Sequence, residues 1–215
     1  MLCFKNCQTD FDNVETHRLT IIPVKEGSED AIAEIANSDE FKDKVKAFQG
    51  FLGVQTFKVE GKVFSHSKWD CKDNCLAADM KKVLAGKAME HVSGPPTPYV
   101  GPIEYFFDGK EKGNKEAGAA RIVIMTLKPK MVKKMARTMM TKENVFQELE
   151  GLISIEAIKH DDEKVVVVAK YDSKESLDKA TPKIGEVMKS AADMFAGPPQ
   201  AYEAVHGFDI SSTAD

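Results

Sequence analysis

The chain has 215 residues, of which 42% are hydrophobic and 30% are charged, and its formal net charge is −4. This composition is typical of a globular protein and excludes disordered and collagen-like chains. The mildly acidic balance argues against a protein that coats nucleic acid, because such proteins carry a strongly basic surface. No run approaches the roughly 18 to 20 apolar residues that a membrane span needs, and the N-terminus lacks the apolar core of a signal peptide. We therefore expect a cytoplasmic protein without a membrane span.

Two segments of about 90 residues run in parallel through the chain, and landmarks of the first recur in the second at an offset of 101 to 103 residues. Lys68-Trp69-Asp70 matches Lys170-Tyr171-Asp172, and Gly94-Pro95-Pro96 matches Gly197-Pro198-Pro199. Such a repeat indicates two copies of one structural unit. We predict an N-terminal arm (residues 1–16), a first unit (17–108), a polar linker (109–119), a second unit (120–209) and a tail (210–215).

Both copies predict the same elements in the same order. In the first copy a strand at 18–24 is followed by a helical region, and then by a hairpin of strands at 51–58 and 62–69. A second helix begins with Asp70 as its N-cap and ends before Gly-Pro-Pro, which cannot continue a helix. A short strand at 103–107 closes the unit. The elements of the second copy are strands at 121–127, 152–159, 164–171 and 204–208 and a second helix from Asp172.

The order β-α-β-β-α-β is the ferredoxin-like split motif, in which the helices cover one face of the sheet. One copy alone would leave the other face bare, yet successive residues of Val165-Val166-Val167-Val168 are all apolar, so both faces of that strand are covered. The simplest solution is that the two sheets pack face to face. We therefore predict an α+β fold in which two ferredoxin-like units form one pseudo-symmetric α/β barrel within a single chain.

Two segments of the first copy carry a family resemblance. Val24-Lys25-Glu26-Gly27-Ser28-Glu29-Asp30 and Gln49-Gly50-Phe51-Leu52-Gly53-Val54 resemble the antibiotic-biosynthesis-monooxygenase family of the dimeric α/β-barrel superfamily. The resemblance covers the first copy and, more weakly, the second. It implies a monooxygenase that acts on a small aromatic, quinol or polyketide-like molecule without a metal or flavin cofactor. It also leaves open a non-catalytic binding or structural barrel, and a haem-binding or haem-degrading relative. Members of the superfamily are dimers, so a homo-oligomer is an alternative to a barrel completed by one chain.

The third strand differs between the copies in a way that indicates a site. Ser65, His66 and Ser67 stand where the second copy has Val167, Val168 and Ala169. Burying an unpaired polar group costs about 1 to 3 kcal/mol, so we expect these side chains to have either hydrogen-bond partners or a role at a site. His66 is the candidate catalytic base, and Ser65, Ser67 and Trp69 are candidate substrate-binding residues. Structural roles for these side chains remain the alternative.

The side chains of this strand lie on two opposite faces of the sheet. Alternation along a strand places Ser65, Ser67 and Trp69 on one face and His66 on the other. The sequence does not decide which face lines the pocket.

His17 and His91 are further candidate substrate-binding residues. The haem-degrading branch of the family carries an asparagine before the first strand, a tryptophan in the second helix and a histidine near the end of that helix. This chain has His17 at the first position, no tryptophan at the second and His91 at the third. Haem bound through His91 is therefore a minority alternative, beside a histidine that interacts with the helix dipole.

The four cysteines form two pairs with the same spacing, Cys3 with Cys7 and Cys71 with Cys75. Zinc sites usually have a tighter gap in at least one pair, so we predict no metal site. Disulfides between the N-terminal arm and the second helix are an alternative. In a reducing cytosol we expect four free thiols.

Overall fold

Residues 14–79, 86–111, 113 and 116–211 are described by the structure, a computed structural model. The chain divides into two units, Met1–Pro102 with Gly207–Asp215 and Ile103–His206. In the described ranges, no helix combines the length and the apolar character needed to span a bilayer.

The first unit is a sheet with helices packed on it. In chain order it contains β1 (Thr16–Pro23), α1 (Glu29–Asn37), α2 (Asp39–Lys46), β2 (Phe51–Val59), β3 (Lys62–Trp69), α3 (Lys72–Ala77) and α4 (Lys87–His91). Strand β1 lies between β3 and residues 97–102 of β4 (Thr97–Asp108), and β3 pairs with β2, all antiparallel. Residues 207–211 of β8 (Gln200–Ser211) lie beside β2.

The second unit repeats this arrangement. In chain order it contains β5 (Ala119–Thr126), α5 (Val132–Met140), α6 (Glu143–Gln147), β6 (Leu152–Lys159), β7 (Lys164–Tyr171), α7 (Lys174–Ser190) and a 3-10 turn (Ala192–Met194). Strand β5 lies between β7 and β8, β7 pairs with β6, and β6 pairs with residues 103–108 of β4.

The hydrogen-bonded strand order is β4-β1-β3-β2-β8 in the first unit and β8-β5-β7-β6-β4 in the second. This order and the β-α-β-β-α-β sequence of elements confirm the predicted α+β fold class. The last strand of each copy is longer than predicted, because β4 and β8 begin at Thr97 and Gln200 rather than at the predicted positions 103 and 204. Pro98 and Pro102 lie within β4, whose first half forms the outer strand beside β1 in the first unit.

The second helix differs between the copies. In the second unit α7 runs for 17 residues, and its N-cap Ser173 accepts a hydrogen bond from the Ser176 backbone N–H. In the first unit α3 has six residues and ends at Ala77, where the next residue is extended. The predicted caps are wrong by one residue, because Asp70 and Asp172 precede the N-cap positions.

Asp70 has a different role, because it packs against a sharp turn. Gly50 has a φ of 73°, which favours glycine, and its carbonyl accepts a hydrogen bond from the Asp70 backbone N–H at 2.9 Å. The Asp70 carboxylate accepts a second hydrogen bond from Asn74 Nδ2 at 2.8 Å. A Cβ on Gly50 would collide with both side chains. The turn between α2 and β2 is thereby tied to the start of α3.

The cysteines correct one expectation. Cys75 is free and buried, and burial raises the pKa of its thiol to about 11 against the opposing effect of Arg18. Cys71 takes part in a disulfide, so the expectation of four free thiols is wrong. Cys3 and Cys7 lie outside the described residues.

Candidate functional site

The first unit holds a cavity of about 350 Å³ between its sheet and its helices. This volume falls in the range of about 300 to 1,000 Å³ that is typical of small-molecule sites. Alternate residues of the strands form the floor, and α1 and α2 contribute apolar side chains above it. The floor of β3 is its Ser65, Ser67 and Trp69 face, which answers the question that the sequence left open.

Aromatic rings form much of the cavity wall. The Trp69 and Phe51 rings meet edge to face with their centroids 5.5 Å apart, and Phe41 meets Phe208 in the same way at 6.4 Å. All four side chains are buried and line the cavity. Such walls suit a flat aromatic ligand, because offset and edge-to-face ring contacts are favourable.

Four hydroxyl groups lie on the cavity floor, and two of them are already used. Ser67 Oγ accepts a hydrogen bond from Trp69 Nε1 at 2.9 Å. Thr56 Oγ1 donates to the Phe208 carbonyl at 3.1 Å and accepts from the Phe208 backbone N–H at 2.9 Å. These two side chains therefore hold the wall in place.

The other two hydroxyls belong to Thr20 and Ser65, which are paired across β1 and β3. Both side chains are half-buried and line the cavity. Neither hydroxyl has a hydrogen-bond partner among the described residues. They are the polar groups of the floor that remain available to a ligand.

Arg18 brings a positive charge to the same cavity. Its guanidinium carbon lies 5.0 Å from the centre of the Trp69 ring, and Nη1 donates to the Cys75 carbonyl at 3.0 Å. The residue is only 9% exposed. Burial lowers the pKa of the guanidinium, although the nearby Cys75 works in the opposite direction.

The second unit has a cavity in the corresponding place, but it measures only about 60 Å³. Its floor is apolar where the first floor carries hydroxyls. In register, Thr20, Ser65 and Thr56 of the first unit are replaced by Val123, Val167 and Ala157 of the second. The two copies therefore share a fold and differ in the polarity of their cavities.

Side-chain size explains the difference in volume. Ala36 and Val45 line the first cavity, and the matching residues of the second are Met139 and Phe146. Methionine adapts its shape to irregular gaps in a core. Larger side chains on α5 and α6 therefore fill the second cavity.

His66 and His17, predicted as site residues, lie on the other faces of their strands. Their Nε2 and Nδ1 atoms share a hydrogen bond of 3.0 Å, and both residues are almost fully buried. His17 Nε2 also hydrogen-bonds to Glu15 Oε1 at 2.8 Å. Neither histidine is among the described residues that line the cavity.

His91, a candidate substrate-binding residue and the residue of the minority haem alternative, is half-buried at the end of α4. Its Nδ1 lies 3.3 Å from Ser28 Oγ, and its carbonyl accepts a hydrogen bond from the Lys25 backbone N–H. No histidine of the described ranges lines the cavity. The side chains present there do not fit a histidine-ligated haem.

Sequence reasoning missed Arg18, Thr20 and Asp79 as cavity residues. Thr20 could have been found by extending the comparison of the copies from the third strand to the first, where the second copy has Val123. Arg18 gave no such signal, because the second copy has Arg121 at the same position. Asp79 lies beyond the end of α3, in a part of the chain predicted to be helical.

By sequence, the chain matches no protein-family model and no curated protein. Its structure resembles a candidate monooxygenase from Lactobacillus acidophilus, with a TM-score of 0.65 and 10% identity over 93% of this chain and 97% of the other. An anthrone oxidase-like protein aligns with a TM-score of 0.71 and 9% identity over 93% and 94%. A ferredoxin-fold protein from Listeria monocytogenes, related to antibiotic biosynthesis monooxygenases, aligns with a TM-score of 0.53 and 10% identity over 91% and 96%. At these identities the likeness concerns the fold alone, and the chain shares the ferredoxin-like fold of these proteins.

Proposed function

We propose that the cavity of the first unit binds a small aromatic molecule of the quinol or anthrone type and catalyses its oxygenation by dioxygen, without a metal or flavin cofactor. The observation that carries this proposal is the difference between the two copies. One cavity is large and bears free hydroxyls, and the other is small and apolar. The resemblance of the structure to an anthrone oxidase-like protein supports the same class of substrate.

The proposed reaction balances without an external reductant. In an anthrone, the methylene carbon loses two hydrogens and gains one oxygen atom as a carbonyl. In a quinol, one oxygen atom enters a ring C–H bond as a hydroxyl, and the two phenolic O–H groups lose their hydrogens to give a hydroxyquinone. In both reactions the second oxygen atom leaves as water. The substrate supplies all four electrons that reduce dioxygen. The step that the protein must assist is the removal of a proton, because the resulting carbanion or phenolate is the species that transfers an electron to dioxygen.

The cavity residues suit this task. The Thr20 and Ser65 hydroxyls hydrogen-bond to the substrate oxygens, and the Trp69 and Phe51 rings hold its plane. Asp79 is the carboxylate among the described lining residues, and it accepts the proton. His66, which the sequence predicts as the base, faces away from this cavity and would have to act through other groups.

Oxygen uptake tests the proposal directly. The purified full chain is incubated with a panel of hydroquinones and anthrones while dissolved oxygen is followed. The double variant Thr20→Val/Ser65→Val copies the floor of the second unit, so it should fold normally and lower kcat/KM by about tenfold.

The matched control is Val167→Thr, which adds a hydroxyl at the same strand position of the second unit and should leave uptake unchanged. If no member of the panel supports uptake, the oxygenase proposal fails and the first unit is a binding module. Equal effects of the two variants would also contradict a site in the first unit.

A further inference from the structure

We propose that the ligand of the first cavity is an aromatic anion, and that Arg18 binds its carboxylate or phenolate oxygen as the counter-charge. This inference rests on the ligand site of the proposed function, but not on catalysis at that site.

Both units place an arginine at the same strand position and anchor it in the same way. Arg18 Nη1 donates to the Cys75 carbonyl on α3 at 3.0 Å, and Arg121 Nη2 approaches the Leu177 carbonyl on α7 at 3.5 Å. Cys75 and Leu177 occupy matching positions of the repeat. The contact to the helix is thus common to both copies and accounts for the retained arginine in each.

The two arginines differ in the residue across the ladder. Arg121 is in register with Glu203, and Nη2 lies 2.7 Å from the Glu203 carboxylate. Arg18 is in register with Val100, which offers no charge. Among the described residues, no carboxylate forms an ion pair with Arg18. Within the described residues, one buried arginine is therefore neutralised by a carboxylate and the other is not.

A buried charge without a counter-ion destabilises the fold unless a ligand or water compensates it. Arg18 lines the cavity, and donors besides Nη1 have no partner in the described part of the chain. A guanidinium presents its N–H groups in a planar fork that matches the two oxygens of a carboxylate. Because this fork lies over Trp69 in an aromatic-walled cavity, the ligand that satisfies both features is an aromatic ring bearing an anionic oxygen.

Asp79 is the carboxylate of the chain that could compete with a ligand anion for Arg18. It lines the same cavity and matches Thr181 of the second unit, whose hydroxyl accepts a hydrogen bond from Arg121. Within the described residues, however, the hydrogen bonds of the Arg18 guanidinium go to main-chain carbonyls, and Asp79 is not among the groups that shift its pKa. The charge of the arginine is therefore available to a ligand, and an Asp79 variant tests this point.

The experiment compares two probes of the same shape, 2-naphthoate and its neutral amide 2-naphthamide, by calorimetric titration into the full chain. We expect naphthoate to bind at least about tenfold more tightly, since a charged hydrogen-bonded pair outweighs a neutral one by about that factor. Equal affinities for the two probes would overturn the proposal.

Val100→Glu installs the counter-ion that the second unit already has. It should reduce naphthoate affinity by about tenfold and leave naphthamide affinity within about twofold. The matched control Glu203→Val removes the counter-ion in the second unit, where the cavity of about 60 Å³ is too small for a naphthalene ring, so it should create no second naphthoate site. Asp79→Asn should keep the preference for the anion. Loss of the preference in Asp79→Asn, or its persistence in Val100→Glu, would refute the role of Arg18.

The outcomes separate this inference from the proposed function. Anion preference without oxygen uptake on any substrate would remove the oxygenase and keep the anion site. Uptake with equal binding of the two probes would keep the oxygenase and remove the role assigned to Arg18.

Discussion

Placing the larger side chains of the second unit in the first cavity should close this cavity, as the same side chains do in the second unit. The double variant Ala36→Met/Val45→Phe introduces the residues found at the matching positions, Met139 and Phe146. Both replaced side chains are buried and face the cavity. We expect a more stable protein that no longer binds its ligand.

The expected gain follows from the two volumes. The first cavity exceeds the second by about 290 Å³ (350 against 60). At about 24 cal/mol per Å³, a dry apolar cavity of that size would cost about 7 kcal/mol, which is an upper bound because this one is partly polar and open to water. The two substitutions bury about seven additional heavy atoms. At roughly 0.8 kcal/mol each, this burial contributes about 6 kcal/mol before the costs of side-chain ordering and imperfect packing are subtracted.

We therefore expect the free energy of unfolding to rise by about 2 kcal/mol, and the melting temperature by about 4 to 8 °C for a chain of this length. Chemical and thermal unfolding measure the gain, and naphthoate titration with oxygen uptake measures the loss of the site. The control Met139→Ala should lower stability by about 1 to 3 kcal/mol and leave ligand binding unchanged. A destabilised double variant, or one that still binds naphthoate, would show that the space is not the open site described above.

Three further outcomes are expected. Gly50→Ala should lower the free energy of unfolding by about 2 to 3 kcal/mol, because the φ of Gly50 is 73° and a Cβ there would collide with Asp70. The control Gly61→Ala has a similar φ of 72° and no atom within 4 Å of the new Cβ, so it should cost about 1 kcal/mol. Equal losses of the two variants in denaturant titration would contradict this expectation. Burial opposes ionisation of Glu203, but hydrogen bonds from its two cationic partners hold the pKa of this carboxyl below its usual value, so its stabilisation is present above about pH 4.3 and is lost as the pH falls through the lowered pKa. Glu203→Gln should therefore lose less stability than the wild type between about pH 6 and pH 3, and parallel unfolding profiles would refute the argument. His66→Leu should lower the free energy of unfolding by about 1 to 3 kcal/mol, because it removes the hydrogen bond to His17, and it should keep oxygen uptake per folded molecule. A selective loss of uptake would show that His66 takes part in the reaction.

Much of the fold could be read from the sequence because its signals are local and occur twice. Strand-length runs rich in apolar and β-branched residues, separated by polar turns after β2 and β6, mark the hairpins in both copies. The limits of β4 and β8 were less visible, since their first residues follow prolines and pair with strands distant in the chain. The boundaries of the two repeat copies stay a prediction.

The site could be predicted only in part. The comparison of Ser65 and Ser67 with Val167 and Ala169 located the polar floor of β3, because the second copy served as an internal control. The same comparison drew attention to His66, whose polarity stands out equally against Val168. A strand presents successive residues to opposite faces, and only packing decides which face meets the cavity.

By itself, the sequence determined that the chain holds two ferredoxin-like copies, and that the first is the more polar in its third strand. Both copies have an arginine at this strand position, Arg18 and Arg121, and only the tertiary structure shows that the two arginines have different neighbours. The physical reason is that the residue across the β-ladder decides whether the arginine has a counter-ion: Arg121 is opposite Glu203, whereas Arg18 is opposite Val100. Such pairing depends on strand register rather than on neighbours in the chain.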